Sequence, residues 1–193
     1  MKLLHIDSSA LGDNSVSRQL SSGVVESWRS ASPDLVVEYR DLDRDPVAHL
    51  TGASLAGTDE AERADAERTL QQFLEADVVV LGAPMYNFTI PSTLKAWIDR
   101  IAVAGKTFRY TENGPQGLAG GKRVIVVSTR GGLHTDAPTD FQEPYLRQMF
   151  AYLGIDDVEF VRAEGVAYSP QHRADAIAQA LATLPQPAEA LAA

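Results

Sequence analysis

Ser9, Ser15 and Ser17 belong to a hydroxyl-rich run, Asp7 to Arg18, that opens directly into a helical pattern beginning at Val16. A helix N-terminus offers free N–H groups and a partial positive charge, so a phosphate can settle there. The three serines would add hydroxyl donors and Arg18 a cation. The glycine fingerprint of dinucleotide folds and the lysine of a P-loop are both absent. The competing reading is plain N-capping by Asp13 or Asn14. Further along, Met85, Tyr86, Asn87 and Phe88 sit between Pro84 and Pro91. A planar heteroaromatic ring needs apolar walls with a few fixed polar groups, and the prolines stiffen such a wall. Alternatively, Met85 and Phe88 plug the end of the core. A third group, Thr129, Arg130, Gly131 and Gly132, is followed closely by His134. Paired glycines let backbone approach a ligand closely or take positive φ, and the imidazole supplies a proton donor near neutral pH. The bland reading is an ordinary tight turn with a structural histidine.

Each group follows a short apolar run. Five such runs, Leu3–Ile6, Leu35–Tyr39, Val78–Gly82, Val124–Val127 and Val158–Val161, are rich in β-branched residues and read as strands buried on both faces. Between them lie amphipathic stretches. Val16, Leu20, Val24 and Trp28 recur every fourth residue. Ala61 to Leu74 marks a second helix. A third carries Leu94, Trp97, Ile98 and Ile101, with Pro91 in its first turn. A fourth runs from Phe141 to Leu153 and ends at Gly154 as a C-cap. A fifth spans Gln171 to Leu184. Alternation of this kind forces parallel pairing through right-handed crossovers, most simply as a doubly wound sheet of order 2-1-3-4-5. Ligands of such sheets bind beyond the C-terminal strand ends, where all three groups fall. Residues 107–118 break the alternation and read as a projecting hairpin turning at Asn113-Gly114.

The chain has 193 residues, which suits one α/β core, here residues 1–184, with 185–193 as a flexible Ala/Pro-rich tail. Its formal charge of −9 disfavours nucleic acid and anionic membrane surfaces as partners. With no cysteine, disulfides, thiolate metal sites and thiol catalysis are excluded, and no metal site is expected. Any redox work must therefore be carried by a bound cofactor. The N-terminal apolar run is too short for a secretory signal, and no segment has transmembrane length, so a cytoplasmic protein is expected.

Several long stretches resemble one family. They are Ala83-Pro84-Met85-Tyr86-Asn87-Phe88-Thr89-Ile90-Pro91-Ser92-Thr93-Leu94-Lys95, Thr107-Phe108-Arg109-Tyr110-Thr111-Glu112-Asn113-Gly114-Pro115, Thr129-Arg130-Gly131-Gly132 and Glu164-Gly165-Val166-Ala167-Tyr168. In that order they are similar to the bacterial FMN-dependent NADH:quinone oxidoreductases, also called FMN-dependent NADH-azoreductases. The resemblance extends from the first strand to about Pro170. It implies a flavodoxin-like three-layer α/β sandwich and a homodimer with one FMN per subunit near the interface. It also implies that NADH is the donor and that quinones or aromatic azo compounds are the oxidants, in a ping-pong reaction.

Carried over residue by residue, Ser9, Ser15, Val16 and Ser17 would hold the phosphate. Met85, Tyr86, Asn87 and Phe88 would line the ring, and Thr129, Arg130, Gly131 and Gly132 would contact its pyrimidine edge. Asn87 and His134 are the candidates for tuning the flavin, and no acid–base catalyst is assigned. Thr129 departs from members that have Ser but keeps the hydroxyl. The hairpin is expected either to roof the partner's site or to cover the sheet's own end. Competing functions are a flavodoxin-type one-electron carrier, an NADPH-dependent flavin reductase of the same fold, and a flavin-free binding module.

Overall fold

The computed structural model describes residues 1–187. Five parallel strands form the central sheet: β1 (Lys2–Asp7), β2 (Val36–Asp41), β3 (Val78–Pro84), β6 (Arg123–Thr129) and β7 (Asp157–Ala163). The spatial order is β2-β1-β3-β6-β7. Numbered along the chain this reads 2-1-3-6-7, which differs from the expected 2-1-3-4-5. The cause is the hairpin, β4 (Phe108–Thr111) and β5 (Gly114–Gly117), which forms a separate two-stranded sheet and takes two places in the count.

Helices α1 (Val16–Ala31), α3 (Glu60–Glu75), α4 (Ser92–Ile101), α5 (Gln142–Tyr152) and α6 (Pro170–Ala182) cover the sheet, with a short α2 (Gly52–Leu55) between β2 and α3. The apolar faces divide into two cores, one on each side. Val16, Leu20, Val24 and Trp28 of α1 all bury with Leu3, Val80 and Val127. Leu94, Trp97, Ile98 and Ile101 of α4 bury with Phe73, Val79 and Phe150 on the other side. The expected stripes of α1 and α4 are therefore the observed contact faces, and β3 and the Val124–Val127 centre of β6 are apolar because both cores press on them.

Some expectations shift. β2 is an edge strand with Val36 and Tyr39 exposed, because it has only β1 as a neighbour. Pro91 caps α4 from outside its first turn. Phe141 caps α5 and is exposed rather than joining the buried face. Of the expected C-terminal tail, Pro185 and Gln186 are bonded to α1: the Trp28 Nε1–H donates to Pro185 O at 2.8 Å and Ser27 Oγ donates to Gln186 Oε1 at 2.9 Å. Its remainder, 188–193, lies outside the described residues.

The hairpin packs against the C-terminal end of α5. Phe108 stacks obliquely on Tyr152 at 4.6 Å, and the Ala119 N–H donates to Leu153 O at 2.9 Å. Its root thus lies beside the starts of β6 and β7, away from the C-terminal strand ends. At Gly117 any Cβ would fall 2.0 Å from Gly154 N. Gly117→Ala is expected to pry the hairpin off α5 at a cost of roughly 1–3 kcal/mol, read by chemical denaturation.

Candidate active site

Register brings the three chemical groups to one edge. Asp7 pairs with Gly82, and Pro84 pairs with Thr129, so the segments that follow β1, β3 and β6 leave the sheet side by side.

After β1 the chain makes a short 3-10 turn, Gly12–Asn14, and enters α1. Ser15, not Asp13 or Asn14, is the N-cap. Its Oγ accepts the Arg18 N–H at 3.3 Å and lies 3.0 Å from Ser17 Oγ. The N–H groups of Val16 and Ser17 meet no acceptor among the described residues, as expected for a first turn. Ser9 is fully buried, with its hydroxyl 3.1 Å from that of Tyr86. The Tyr86 hydroxyl also accepts the Ala10 N–H, tying the segment after β3 to the one after β1.

Arg18 is not available to an anion. It forks onto Asp41 with two contacts of 2.6 Å and donates to Ser9 O, so its charge is spent on pinning the loop to β2. Burial pushes the Asp41 carboxyl up, but the Arg18 hydrogen bonds outweigh it and hold the group below its ordinary value. Asp7 beneath the loop accepts from Ser21 and Tyr39, and partial desolvation with the Asp7 and Asp41 charges pushes the Tyr39 hydroxyl up to about 12.

After β3, Tyr86 and Thr89 exchange backbone hydrogen bonds at 2.9 and 3.1 Å across Asn87 and Phe88. Both central residues have positive φ, 49° and 71°. This is the geometry of a tight hairpin turn that ordinarily takes Asn-Gly. Phe in the glycine position carries strain of about 1–2 kcal/mol, as backbones held for function do. Phe88 is half exposed, so it does not plug the core.

After β6, Met85 N–H donates to Thr129 O at 2.8 Å, joining the second and third segments. Thr129 is buried, and among the described residues its hydroxyl makes no hydrogen bond. Neither Gly131 nor Gly132 uses positive φ. A Cβ at Gly132 would lie 3.2 Å from His134 Nε2, so a side chain there would push the imidazole aside by a few tenths of an ångström. The His134 ring meets Phe88 edge-on at 5.9 Å, and its Nδ1 lies 2.9 Å from Thr139 Oγ1.

Arg130 departs from its expected role. Its side chain is fully buried and turned inward, paired with Asp140, Glu143 and Glu164. Its N–H donates to Ala163 O and its carbonyl accepts from Val166, so it has nothing left for a ligand. Thr139, Tyr168 and Glu164 also reach this edge. Of these, only the run containing Glu164 and Tyr168 carried a sequence signal.

The edge therefore combines free donors at a helix N-terminus, which suit a phosphate, with a strained aromatic turn facing an imidazole and a glycine backbone, which suits a flat polar ring. The profile of the family described as "Flavodoxin-like fold" matches residues 1–186. FMN-dependent NADH:quinone oxidoreductase 1 of Xanthomonas axonopodis pv. citri (strain 306) is 71% identical over 184 residues, covering 95% of each chain.

The chain belongs to this oxidoreductase family.

A Pseudomonas putida relative, also named FMN-dependent NADH:quinone oxidoreductase 1, is 57% identical over 95% of this chain and 96% of its own. Among solved structures, an FMN-dependent NADH-azoreductase from Bacillus anthracis (strain Ames Ancestor) in complex with FMN has a TM-score of 0.81 at 32% identity. That match covers 94% of this chain and 96% of the other. The protein is thus an enzyme, an oxidoreductase, and the electron-carrier and binding-module readings fall away. Among the described residues no helix is long and apolar enough to cross a membrane.

Proposed function

We propose that this enzyme binds one FMN per subunit and uses it to reduce quinones, and aromatic azo compounds to amines, at the expense of NADH. Bound at this edge, FMN would supply two-electron chemistry, accepting hydride from NADH and passing it to the oxidant in a ping-pong exchange. The observation that carries the reading is the convergence of free donors at α1 with the Asn87–Phe88 turn and the Gly131–Gly132 backbone.

The residues fit the cofactor. Ser15, Ser17 and the Val16 and Ser17 N–H groups would hold the phosphate, with Ser9 joining where Tyr86 releases its hydroxyl. Met85, Tyr86, Asn87 and Phe88 would flank the ring, and the Thr129 hydroxyl with Gly131 and Gly132 would meet its polar edge. Pre-organised N–H donors at that edge would stabilise charge gathered there during reduction. His134 would hold a proton at Nε2 when the Thr139 hydroxyl donates to Nδ1. No side chain needs to act as acid or base.

In this reading residues 1–184 form a single flavodoxin-like domain that works as a homodimer in the cytoplasm. Leu11, Phe88, Leu133, Phe141 and Tyr168 expose large apolar surface around the site, which supports a covering partner. Tyr110 projects from the hairpin with 75% of its surface exposed, beside Tyr152 at the C-terminal end of α5, which supports reaching across to the partner's site. Tyr110→Ala is expected to lower quinone kcat/KM about tenfold, the worth of a well-packed aromatic contact, or to weaken the dimer in sedimentation. Wild-type values for both would defeat the roofing role.

Initial rates with NADH and a quinone varied together are expected to give parallel double-reciprocal lines. Intersecting lines would rule out the ping-pong order. Faster turnover with NADPH and free FMN than with NADH and quinone would favour a flavin reductase instead.

A further inference from the structure

The segment after β6 is held from below by a buried charge cluster. A fully buried guanidinium requires neutralisation, and Arg130 finds Asp140 at 2.9 Å, Glu143 at 2.7 Å and Glu164 at 3.2 Å. Arg162 shares Glu143 through two further contacts of 2.7 Å. Among the described residues the Glu143 carboxylate thus bonds only to the Arg130 and Arg162 guanidinium groups, whereas Glu164 does something different. Its Oε1 accepts the His134 N–H at 2.7 Å and the Thr135 N–H at 2.9 Å, besides Arg130. One carboxylate oxygen therefore joins the cluster to the backbone of the turn that carries Gly131, Gly132 and His134. Glu164 itself directly follows the last residue of β7, and the next residues clamp the same turn: Gly165 N–H donates to Gly132 O at 2.9 Å and Ala167 N–H to Gly131 O at 3.2 Å.

We propose that Glu164 is a positioning residue for this edge of the site: anchored on Arg130, it fixes the 131–135 turn so that the Gly131–Gly132 backbone and His134 stand ready beside Phe88. The turn is exposed at Leu133 and Thr135 and has no helix or sheet of its own. The Gly165 and Ala167 N–H groups clamp only Gly132 and Gly131, so without Glu164 the backbone N–H groups of His134 and Thr135 lose their acceptor and more of the turn's order has to be supplied on ligand binding. The assignment rests on the FMN reading above and adds a residue that touches neither cofactor nor substrate.

The test compares Glu164→Ala, Glu164→Gln and Glu143→Gln in the full chain. Two readouts are used: amide hydrogen exchange of the FMN-free protein, and FMN affinity by fluorescence quenching. Glu164→Ala is expected to speed exchange selectively at residues 131–135 and to raise the FMN Kd about tenfold, the equivalent of one charge-assisted hydrogen bond's worth of order. Glu164→Gln, which keeps an acceptor oxygen, should raise it by less, and it serves in place of the alanine variant if that fails to fold. Glu143→Gln, which touches Arg130 but not the turn, should lower stability while leaving exchange at 134–135 and FMN affinity unchanged. Equal effects of the Glu143 and Glu164 variants on FMN affinity, or unaltered exchange in Glu164→Ala, would overturn the proposal. Failure of the wild type to bind FMN would instead defeat the cofactor reading, and the exchange data would still report on the clamp.

Discussion

The double variant Ser15→Ala, Ser17→Ala is expected to lose FMN about a hundredfold more readily than the wild type, from the removal of two hydrogen bonds of ~1.5 kcal/mol or more to a charged group. Both hydroxyls lie at the α1 N-terminus, 3.0 Å apart, next to two N–H groups without acceptors. Alanine favours the helix and removes both hydroxyl donors. Ser15 is also the N-cap, so its loss costs about 1 kcal/mol of stability besides. The fold survives that. Equilibrium dialysis against FMN reads the affinity, and circular dichroism shows that the chain is still folded. Unchanged affinity would remove the phosphate from this loop.

The second large effect is expected at Arg130. Arg130→Leu should destabilise the protein by about 3–5 kcal/mol at neutral pH, because it takes the cation from Asp140 and Glu164 and leaves the buried Glu143 with Arg162 alone. In a chain of this size that is a fall in Tm of roughly 10 °C. The pH dependence gives a sign that a simple packing defect lacks. Burial pushes the Glu164 carboxyl up, but its hydrogen bonds from His134 and Thr135, with Arg130, hold it below the ordinary carboxylate value. A depressed carboxyl contributes stability above the unfolded-state value and loses it as pH falls through the folded one. The Arg130→Leu deficit should therefore be complete at neutral pH and shrink as pH drops below about 4, where Glu164 protonates. A deficit independent of pH would mean that packing, not charge, is the cause. Differential scanning fluorimetry across pH decides it.

Much of the architecture was legible because the signal is local. Val78–Gly82 of β3 and Val124–Val127 of β6 are uninterrupted apolar runs, and Val16, Leu20, Val24 and Trp28 can serve only one helical face. Once parallel order is inferred, the rule that ligands bind beyond C-terminal strand ends puts Ser15, Asn87 and Gly132 on one edge without coordinates. Long-range pairing was not legible. Nothing in the sequence near Arg18 announces Asp41, and nothing beside Arg130 announces Glu164 more than thirty residues on, so both cations looked available for a ligand when each is committed to the fold. The Asn87–Phe88 turn was hidden for a different reason. Its backbone asks for Asn-Gly, and Phe in the second place conceals a hairpin turn that strain alone reveals. The four-residue α2, which Thr51 and Ser54 cap reciprocally, lacks the acidic or amide residue that usually marks such a cap.

The measurement that bears most directly on the whole account is an absorption spectrum of the purified chain. After incubation with FMN and gel filtration, the protein is expected to keep a flavin spectrum. Anaerobic NADH should bleach it within the mixing time of a hand-held experiment, and a quinone should restore it. A protein that emerges colourless, or one whose flavin stays oxidised in the presence of NADH, would contradict the account.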